Sequence, residues 1–158
     1  MNFGSRYENK SSLISATVVV VALLLSGCAG TNFVRPEPSS FILGKTTQQE
    51  IFQTMGKPYQ TGTVETNGRT FQIASYSYAN VGGDALYGGV TASRSQSFTF
   101  LNDTLVGTSF LSSFKEDGTD FDETKVARIE KGKSTKADVV RLFGPAGGEY
   151  IAPLTTNP

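Results

Sequence analysis

The chain has 158 residues with 14 basic and 14 acidic side chains, a balance that gives no strong electrostatic field to attract nucleic acid. It has no histidine and only one cysteine, which excludes a Ser-His-Asp triad, a histidine-ligated metal and a disulfide within the chain. Its 17 glycines, together with many serines and threonines, favour strands joined by tight turns.

A short apolar segment leads to the only cysteine, Cys28. Residues 13–25 (LISATVVVVALLL) would span only about 20 Å as a helix, less than the ~30 Å hydrocarbon core of a membrane. Arg6 and Lys10 precede this segment, and small residues follow it. This order predicts a secretory signal peptide at residues 1–27. A plain signal peptide with an incidental cysteine, or a short anchor helix, would share these features.

Residues 25–28 (LSGC) resemble the lipobox of bacterial lipoproteins. The resemblance implies cleavage between Gly27 and Cys28, a diacyl lipid on the Cys28 thiol and acylation of the new amino terminus. Because several acyl chains hold a protein firmly at a membrane, we expect this covalent lipid as the anchor, and no cofactor. Ala29 and Gly30 follow in place of the aspartate that resembles an inner-membrane retention signal, which favours the outer membrane.

Residues 28–40 are predicted to form a tether. Pro36 and Pro38 bias this segment towards extended polyproline-like structure, which rises ~3.1 Å per residue. Its small residues and low apolar content give it little to pack. We therefore expect a spacer between the membrane and a folded unit that begins at residue 41.

Two segments share one pattern at a constant offset of 88 residues: 41–56 (FILGKTTQQEIFQTMG) and 129–144 (IEKGKSTKADVVRLFG). In each segment a threonine is placed as a helix N-cap, and an acidic residue three positions later can complete a capping box. These structural caps are Thr47, Glu50, Thr135 and Asp138. The repetition in fixed register predicts two short helices of the same design.

Apolar residues after each cap have the i, i+1, i+4 spacing of one helical face. They are Ile51, Phe52 and Met55 in the first copy and Val139, Val140 and Phe143 in the second. Gly56 and Gly144 then follow as expected left-handed C-caps, and a proline after each blocks further helix.

Two pairs of β-type segments lie between the copies. Residues 61–65 and 69–79 flank Thr66-Asn67-Gly68, and Asn-Gly is a strong signal for a two-residue hairpin. Residues 96–101 and 105–114 flank a second turn at Asn102-Asp103-Thr104. We expect an antiparallel meander with helices packed on one side.

Two further segments connect these elements. Residues 80–95 are rich in glycine and form either a flexible excursion or a partner-binding loop with Leu86 and Tyr87 at its apolar tip. Residues 115–122 form an acidic linker. The aspartate spacing there does not match a calcium-binding EF-hand loop, so we expect no metal site.

This order of elements resembles the SmpA/OmlA (BamE-like) family of outer-membrane lipoproteins. Residues 41–114 carry the resemblance: LGKTTQQEIFQTMGKP matches the helix and turn of the family, and FTFLNDTLVGTSF resembles its last hairpin. Lys45 and Lys133 stand where the family usually has methionine. The resemblance implies an α+β fold in which short helices pack on a three-stranded antiparallel sheet (αα-βββ).

The second copy gives an incomplete unit at residues 123–158. A short helix is expected at residues 123–129, but after the repeated motif the chain supplies at most one short strand. The unit is therefore a helical half-unit packed on the first, a unit that a partner completes, or part of a longer one. If Val139, Val140 and Phe143 are uncovered, they form a partner surface.

The resemblance implies a non-catalytic lipoprotein on the periplasmic face of the outer membrane. It would support envelope or β-barrel protein assembly through outer-membrane or periplasmic proteins, the barrel-assembly machinery among them. Tandem units also resemble β-lactamase-inhibitor-type proteins, so the alternative is a module that inhibits a periplasmic or foreign enzyme. We expect no nucleic acid and no small-molecule substrate. An enzyme without histidine or a free cysteine would need a carboxylate pair or a Ser-Lys pair, and Glu50 and Asp138 are better explained as capping residues.

Overall fold

A computed structural model describes residues 30–155, so the predicted signal peptide and the predicted lipidation site at Cys28 lie outside the described residues. The described part is an α+β fold built on one five-stranded antiparallel sheet, in which the strands follow one another in sequence order. The α+β class is confirmed. The expected three-stranded sheet is wrong, because the meander contributes four strands and the second copy adds a fifth.

Residues 30–155 contain five strands and four short helices. The strands are β1 Gln60–Thr66, β2 Arg69–Asn80, β3 Ala92–Leu101, β4 Thr104–Ser112 and β5 Gly148–Tyr150. The α-helices are α1 Gln48–Met55 and α2 Lys136–Phe143, and the 3₁₀ helices are Lys115–Asp117 and Glu123–Arg128. The helix expected near residues 123–129 is therefore present as a 3₁₀ helix.

Both predicted hairpins form around asparagine-led turns. Asn67 and Gly68 have φ values of 54° and 67°, and Asn102 and Asp103 have φ values of 49° and 68°. Positive φ at both central residues is the type I′ geometry, whose twist matches that of the flanking strands. The second turn holds two residues rather than three, because Thr104 pairs with Leu101 at the start of β4.

Helix α1 lies on one face of the sheet and supplies the centre of the core. Ile51 is fully buried, in a cluster with side chains from three strands: Ala74, Tyr76, Phe98, Phe100 and Leu105. Full burial of such an aliphatic side chain stabilises the fold by about 1.5–3 kcal/mol. The apolar face predicted for the first helix is therefore the face that packs on the sheet.

Residues 30–40 lie against the sheet and do not extend away from it as a spacer. Gly30 forms a β-bridge with Tyr78 at the edge of β2, and Phe33 packs against the core. The Arg35 guanidinium lies 4.7 Å from the centre of the Phe110 ring. Contacts with residues distant in sequence therefore pack this segment on the sheet.

The glycine-rich segment is shorter than expected, because β2 continues to Asn80 and β3 begins at Ala92. The remaining loop, residues 81–91, is attached to the end of β4. Leu86 donates its backbone N–H to the Ser113 carbonyl at 2.8 Å. Leu86 is half-buried and Tyr87 is exposed, so Tyr87 alone of the two predicted tip residues points to solvent.

The second copy supplies one short strand, which joins it to the sheet of the first copy. After α2 the chain enters β5, where Gly107 pairs with Tyr150 and Ser109 with Gly148. The Phe110 N–H donates to the Gly147 carbonyl at 2.5 Å, just before that strand. The sheet of the first copy thus continues into the second.

Candidate functional site

The two helix starts have the same hydrogen bonds, as the repeat predicted. The Thr47 N–H donates to Glu50 Oε2 at 2.7 Å, and the Thr135 N–H donates to Asp138 Oδ2 at 2.9 Å. In return, each acid's backbone N–H donates to the threonine Oγ1, at 3.3 Å and 3.2 Å. Both are complete capping boxes.

Hydrogen bonding to the caps also sets the charge of the two acids. The backbone N–H of Thr47 lowers the pKa of Glu50 below its ordinary value of 4.5. The backbone N–H of Thr135 lowers the pKa of Asp138, and Arg141 adds to this effect. Both carboxylates are therefore ionised acceptors at neutral pH, and each is occupied by its own helix.

The repeat extends one turn further towards the N-terminus than the caps. The Ile42 N–H donates to Thr46 Oγ1 at 2.8 Å, and the Glu130 N–H donates to Ser134 Oγ at 2.9 Å. Gly132 has a φ of 79°, close to that of its counterpart Gly44 at 77°. The roles of Thr46 and Ser134 were not predicted from the sequence. The feature that indicates them is a hydroxyl residue at the same position of both copies.

The helices end at glycines, but not in the left-handed helical conformation that was expected. Gly56 has φ 76° and ψ −163°, and Gly144 has φ 82° and ψ −173°. This region of backbone space is essentially restricted to glycine. Each glycine N–H still closes the helix, by donating to Phe52 or Val140 at 3.0 Å or 2.8 Å.

The copies differ in what contacts the turn before the helix. In the first copy, the N–H groups of Gly44 and Gln48 donate to the carbonyls of Leu105 and Asp103 at 2.7 Å and 3.0 Å. The Leu105 N–H donates to the Thr46 carbonyl at 2.8 Å. Hydrogen bonds therefore join this turn to the start of β4.

In the second copy, the corresponding groups are the Gly132 N–H, the Ser134 carbonyl and the Lys136 N–H. Within residues 30–155, none of the three bonds to a strand. A turn of the same internal geometry thus presents its backbone groups without the strand that receives them in the first copy.

The apolar helix faces differ in the same way. Ile51 has 0 % exposure, whereas its counterpart Val139 has 38 % and Val140 has 40 %. Phe143 is half-buried because it stacks on Phe121, with ring centres 5.0 Å apart. The second helix is therefore complete in its own hydrogen bonds and incomplete in its packing.

A groove of about 680 Å³ separates α2 from the sheet of the first copy. Its walls include Phe98 and Phe110 from the sheet and Val140 from α2, and residues 35–38 lie along it. Lys136 forms an ion pair with Glu149 at 2.5 Å, which links α2 to β5. The helix is thus attached through its ends more than through its apolar face.

A buried arginine on β3 forms a second polar cluster. Arg94 is 5 % exposed and donates through Nη1 to the Phe33 carbonyl at 2.7 Å. It forms ion pairs with Asp117, at 3.1 Å from Nε, and with Glu116. The Nε contact is an ion pair without hydrogen-bond alignment. Its guanidinium lies 4.4 Å from the centre of the Phe114 ring.

The Arg94 cluster is structural, because it joins residues 30–40 and the first 3₁₀ helix to the sheet. Sequence interpretation did not find it. The sequence signal for a buried Arg94 is the alternation along β3. Every second residue of this strand points inward: Ala92, Arg94, Gln96, Phe98 and Phe100.

In the part of the chain that the structure describes, no group of three or more potential ligand residues is arranged to hold a metal. No helix among residues 30–155 is long and apolar enough to cross a membrane. Comparison with known proteins found no matching family model, no similar curated protein and no similar solved structure.

Proposed function

We propose that this chain is a non-catalytic lipoprotein of the BamE-like (SmpA/OmlA) type, anchored to the outer membrane through Cys28 and facing the periplasm. It supports the assembly of envelope or β-barrel proteins by binding other proteins. The observation that carries the binding role is the second copy of the motif: its helix is preformed, its apolar face is partly exposed, and its turn makes no bond to a strand within residues 30–155.

Two features of α2 suit it to binding. Its capping box is closed, so the helix does not have to be ordered when a partner arrives, and less conformational entropy is lost. Val139 and Val140 present apolar area that gains free energy when a partner removes it from water.

The anchor is supported by the lipobox-like residues 25–28. Gly30 lies at the edge of β2, two residues after Cys28. A lipid on Cys28 would therefore hold the sheet close to the membrane surface and not at the end of a long spacer. The absence of histidine from the whole chain and the capping roles of Glu50 and Asp138 support a non-catalytic role.

The anchor is tested by expressing the full chain in a Gram-negative bacterium and measuring the mass of its N-terminal peptide. We expect an acylated Cys28 in the outer-membrane fraction. The Cys28→Ser variant is the matched control and should leave that fraction. An unmodified thiol at residue 28 in the wild-type protein would contradict the proposal.

The binding role is tested by chemical cross-linking in intact cells followed by purification of the chain. We expect outer-membrane assembly components to be recovered, and Val139→Asp to reduce their yield at least fivefold. Val126→Asp is the control, because Val126 is 47 % exposed but lies outside the repeated motif. Equal yields from the two variants would contradict a role for α2.

The second candidate is a protein-binding inhibitor of a periplasmic or foreign enzyme. It is favoured by the continuous sheet that joins the two copies and by the exposed Tyr87 on the loop beside it. Recovery of a hydrolase in the same purification, in place of assembly components, would select this candidate.

A further inference from the structure

We propose that the second copy of the motif binds an antiparallel three-stranded β-meander presented by a partner protein. The first strand of that meander adds to the free edge of β5, and its last strand receives the turn at residues 132–135. The inference deepens the binding role proposed above by naming the partner's structure, and it does not depend on the lipid anchor.

β5 occupies the same position in the second copy as β1 does in the first. β1 begins at Gln60, four residues after the glycine that ends α1, and β5 begins at Gly148, four residues after the glycine that ends α2. The offset of 88 residues therefore holds through the turn, the helix and the start of the following strand. β5 is the β1 of the second copy.

The second step is the free edge of β5. In the first copy, β1 pairs with β2 along all seven of its residues, and β2 leads into β3 and β4. β5 pairs with β4 on one side and is the last strand of the sheet in the described residues. A strand on its other side would take the place that β2 takes beside β1, and strand addition of this kind is a common mode of recognition.

The third step is the turn. The Gly132 N–H, the Ser134 carbonyl and the Lys136 N–H repeat the positions of groups that bond to Leu105 and Asp103 in the first copy. Leu105 and Asp103 lie at the end of a type I′ turn and the start of a strand. The partner must therefore offer a strand that begins directly after a tight two-residue turn.

The fourth step is the chemistry of the partner's inward face. Phe98, Phe100 and Leu105 cover Ile51 in the first copy. We therefore expect similar aromatic and aliphatic side chains of the partner to cover Val139. Two ion pairs beside α2 are already formed within the second copy, Lys133 with Glu130 and Arg141 with Asp138. An apolar, uncharged strand face is therefore the complement.

A second intact copy of this chain does not supply the meander, because its own β2–β4 is already occupied. The start of β4 in each chain is bonded to the turn at Gly44–Thr46 of the same chain. The proposed occupant is thus a meander whose corresponding face is not yet covered by a helix.

The proposal is tested with the chain's own meander as the probe. The fusion protein consists of residues 28–158 with Cys28→Ser, followed by a flexible Gly-Ser linker and a second copy of residues 67–114. Hydrogen exchange is measured at the Gly132 and Lys136 amides. We expect exchange at least tenfold slower than in the unfused chain, because the appended strands provide the missing acceptors.

Val139→Asp in the fusion should return exchange at Gly132 and Lys136 to the unfused rate, and Val126→Asp should leave it slow. The proposal would be overturned if exchange at Gly132 and Lys136 were unchanged in the fusion while the Gly44 and Gln48 amides stayed protected. That result would mean that the first copy is folded and that the second copy does not bind the meander. Sedimentation of the unfused chain as a dimer with protected Gly132 would also overturn it, since the occupant would be a second copy. Loss of the anchor in cells would leave these outcomes unaffected.

Discussion

At the scale of single residues, the repeat places identical hydrogen bonds in two different surroundings. Thr47 and Thr135 cap their helices in the same way, yet Ile51 is fully buried and its counterpart Val139 is 38 % exposed. Local sequence therefore determines the helix and its caps, while the stabilisation that the helix contributes depends on what covers its apolar face.

We predict that truncating the two matched residues has very different effects. Ile51→Ala should lower the free energy of unfolding by about 3 kcal/mol, because it leaves a cavity in a packed core. Val139→Ala should lower it by about 0.5 kcal/mol, as at a partly exposed surface position. Urea unfolding with unchanged m-values measures both. Equal losses would mean that α2 is packed as tightly as α1.

A second prediction concerns acid. Glu50 has a lowered pKa in the folded chain, so its contribution to stability is fully present above its ordinary value of 4.5 and is lost as pH falls through the folded pKa. Wild type should therefore exceed Glu50→Gln in stability at neutral pH, and the difference should shrink as pH falls below 4.5. Urea unfolding across this range measures it.

The matched control for acid is Glu65→Gln, since Glu65 lies on the exposed strand β1. Its difference from wild type should stay small at every pH. A Glu50→Gln difference that persists unchanged in acid would show that the capping carboxylate does not carry the effect.

At the scale of elements, the features predicted from sequence are those with local causes. Both hairpins follow from asparagine-led turns, and both helices follow from capping boxes. β5 was not predicted as a strand of this sheet, because three exposed residues become a strand only by pairing with β4. The uncovered state of α2 was considered from the sequence, but the free turn groups beside it required the comparison of two folded copies.

The junction between the copies gives a third prediction. A Cβ at Gly107 would lie 2.5 Å from the Tyr150 ring, so Gly107→Ala should push β5 away from β4. The Ile151 amide, which donates to the Val106 carbonyl at 3.0 Å, should then exchange at least tenfold faster.

Gly62→Ala is the control for this junction, because a Cβ there meets no atom within 4 Å. Exchange at the Gly44 amide should stay slow in both variants, since it belongs to the first copy. If Gly107→Ala leaves the Ile151 amide protected, β5 is held by contacts other than its pairing with β4.

At the scale of the whole molecule, one buried cation joins parts that are distant in sequence. Arg94 on β3 contacts the Phe33 carbonyl before the first copy and Asp117 after the meander. The segment predicted to be a tether is held to the sheet partly through this contact. The alternation of β3 indicates that Arg94 points inward, but it does not identify the partners, which lie 61 residues before Arg94 and beyond the next strand.

We predict that Arg94→Met lowers the free energy of unfolding by about 3 kcal/mol, because it leaves the nearly buried Asp117 carboxylate without its cation. Arg69→Met, at an exposed position of β2, is the control and should change it by less than about 0.5 kcal/mol. Arg94→Met combined with Asp117→Asn should be more stable than Arg94→Met alone, since the unpaired charge is removed while an acceptor for the Ser112 hydroxyl remains. Urea unfolding of wild type, Arg94→Met, Asp117→Asn and the double variant closes the cycle. If the double variant is no more stable than Arg94→Met, the loss comes from packing against Phe114 and not from an uncompensated charge.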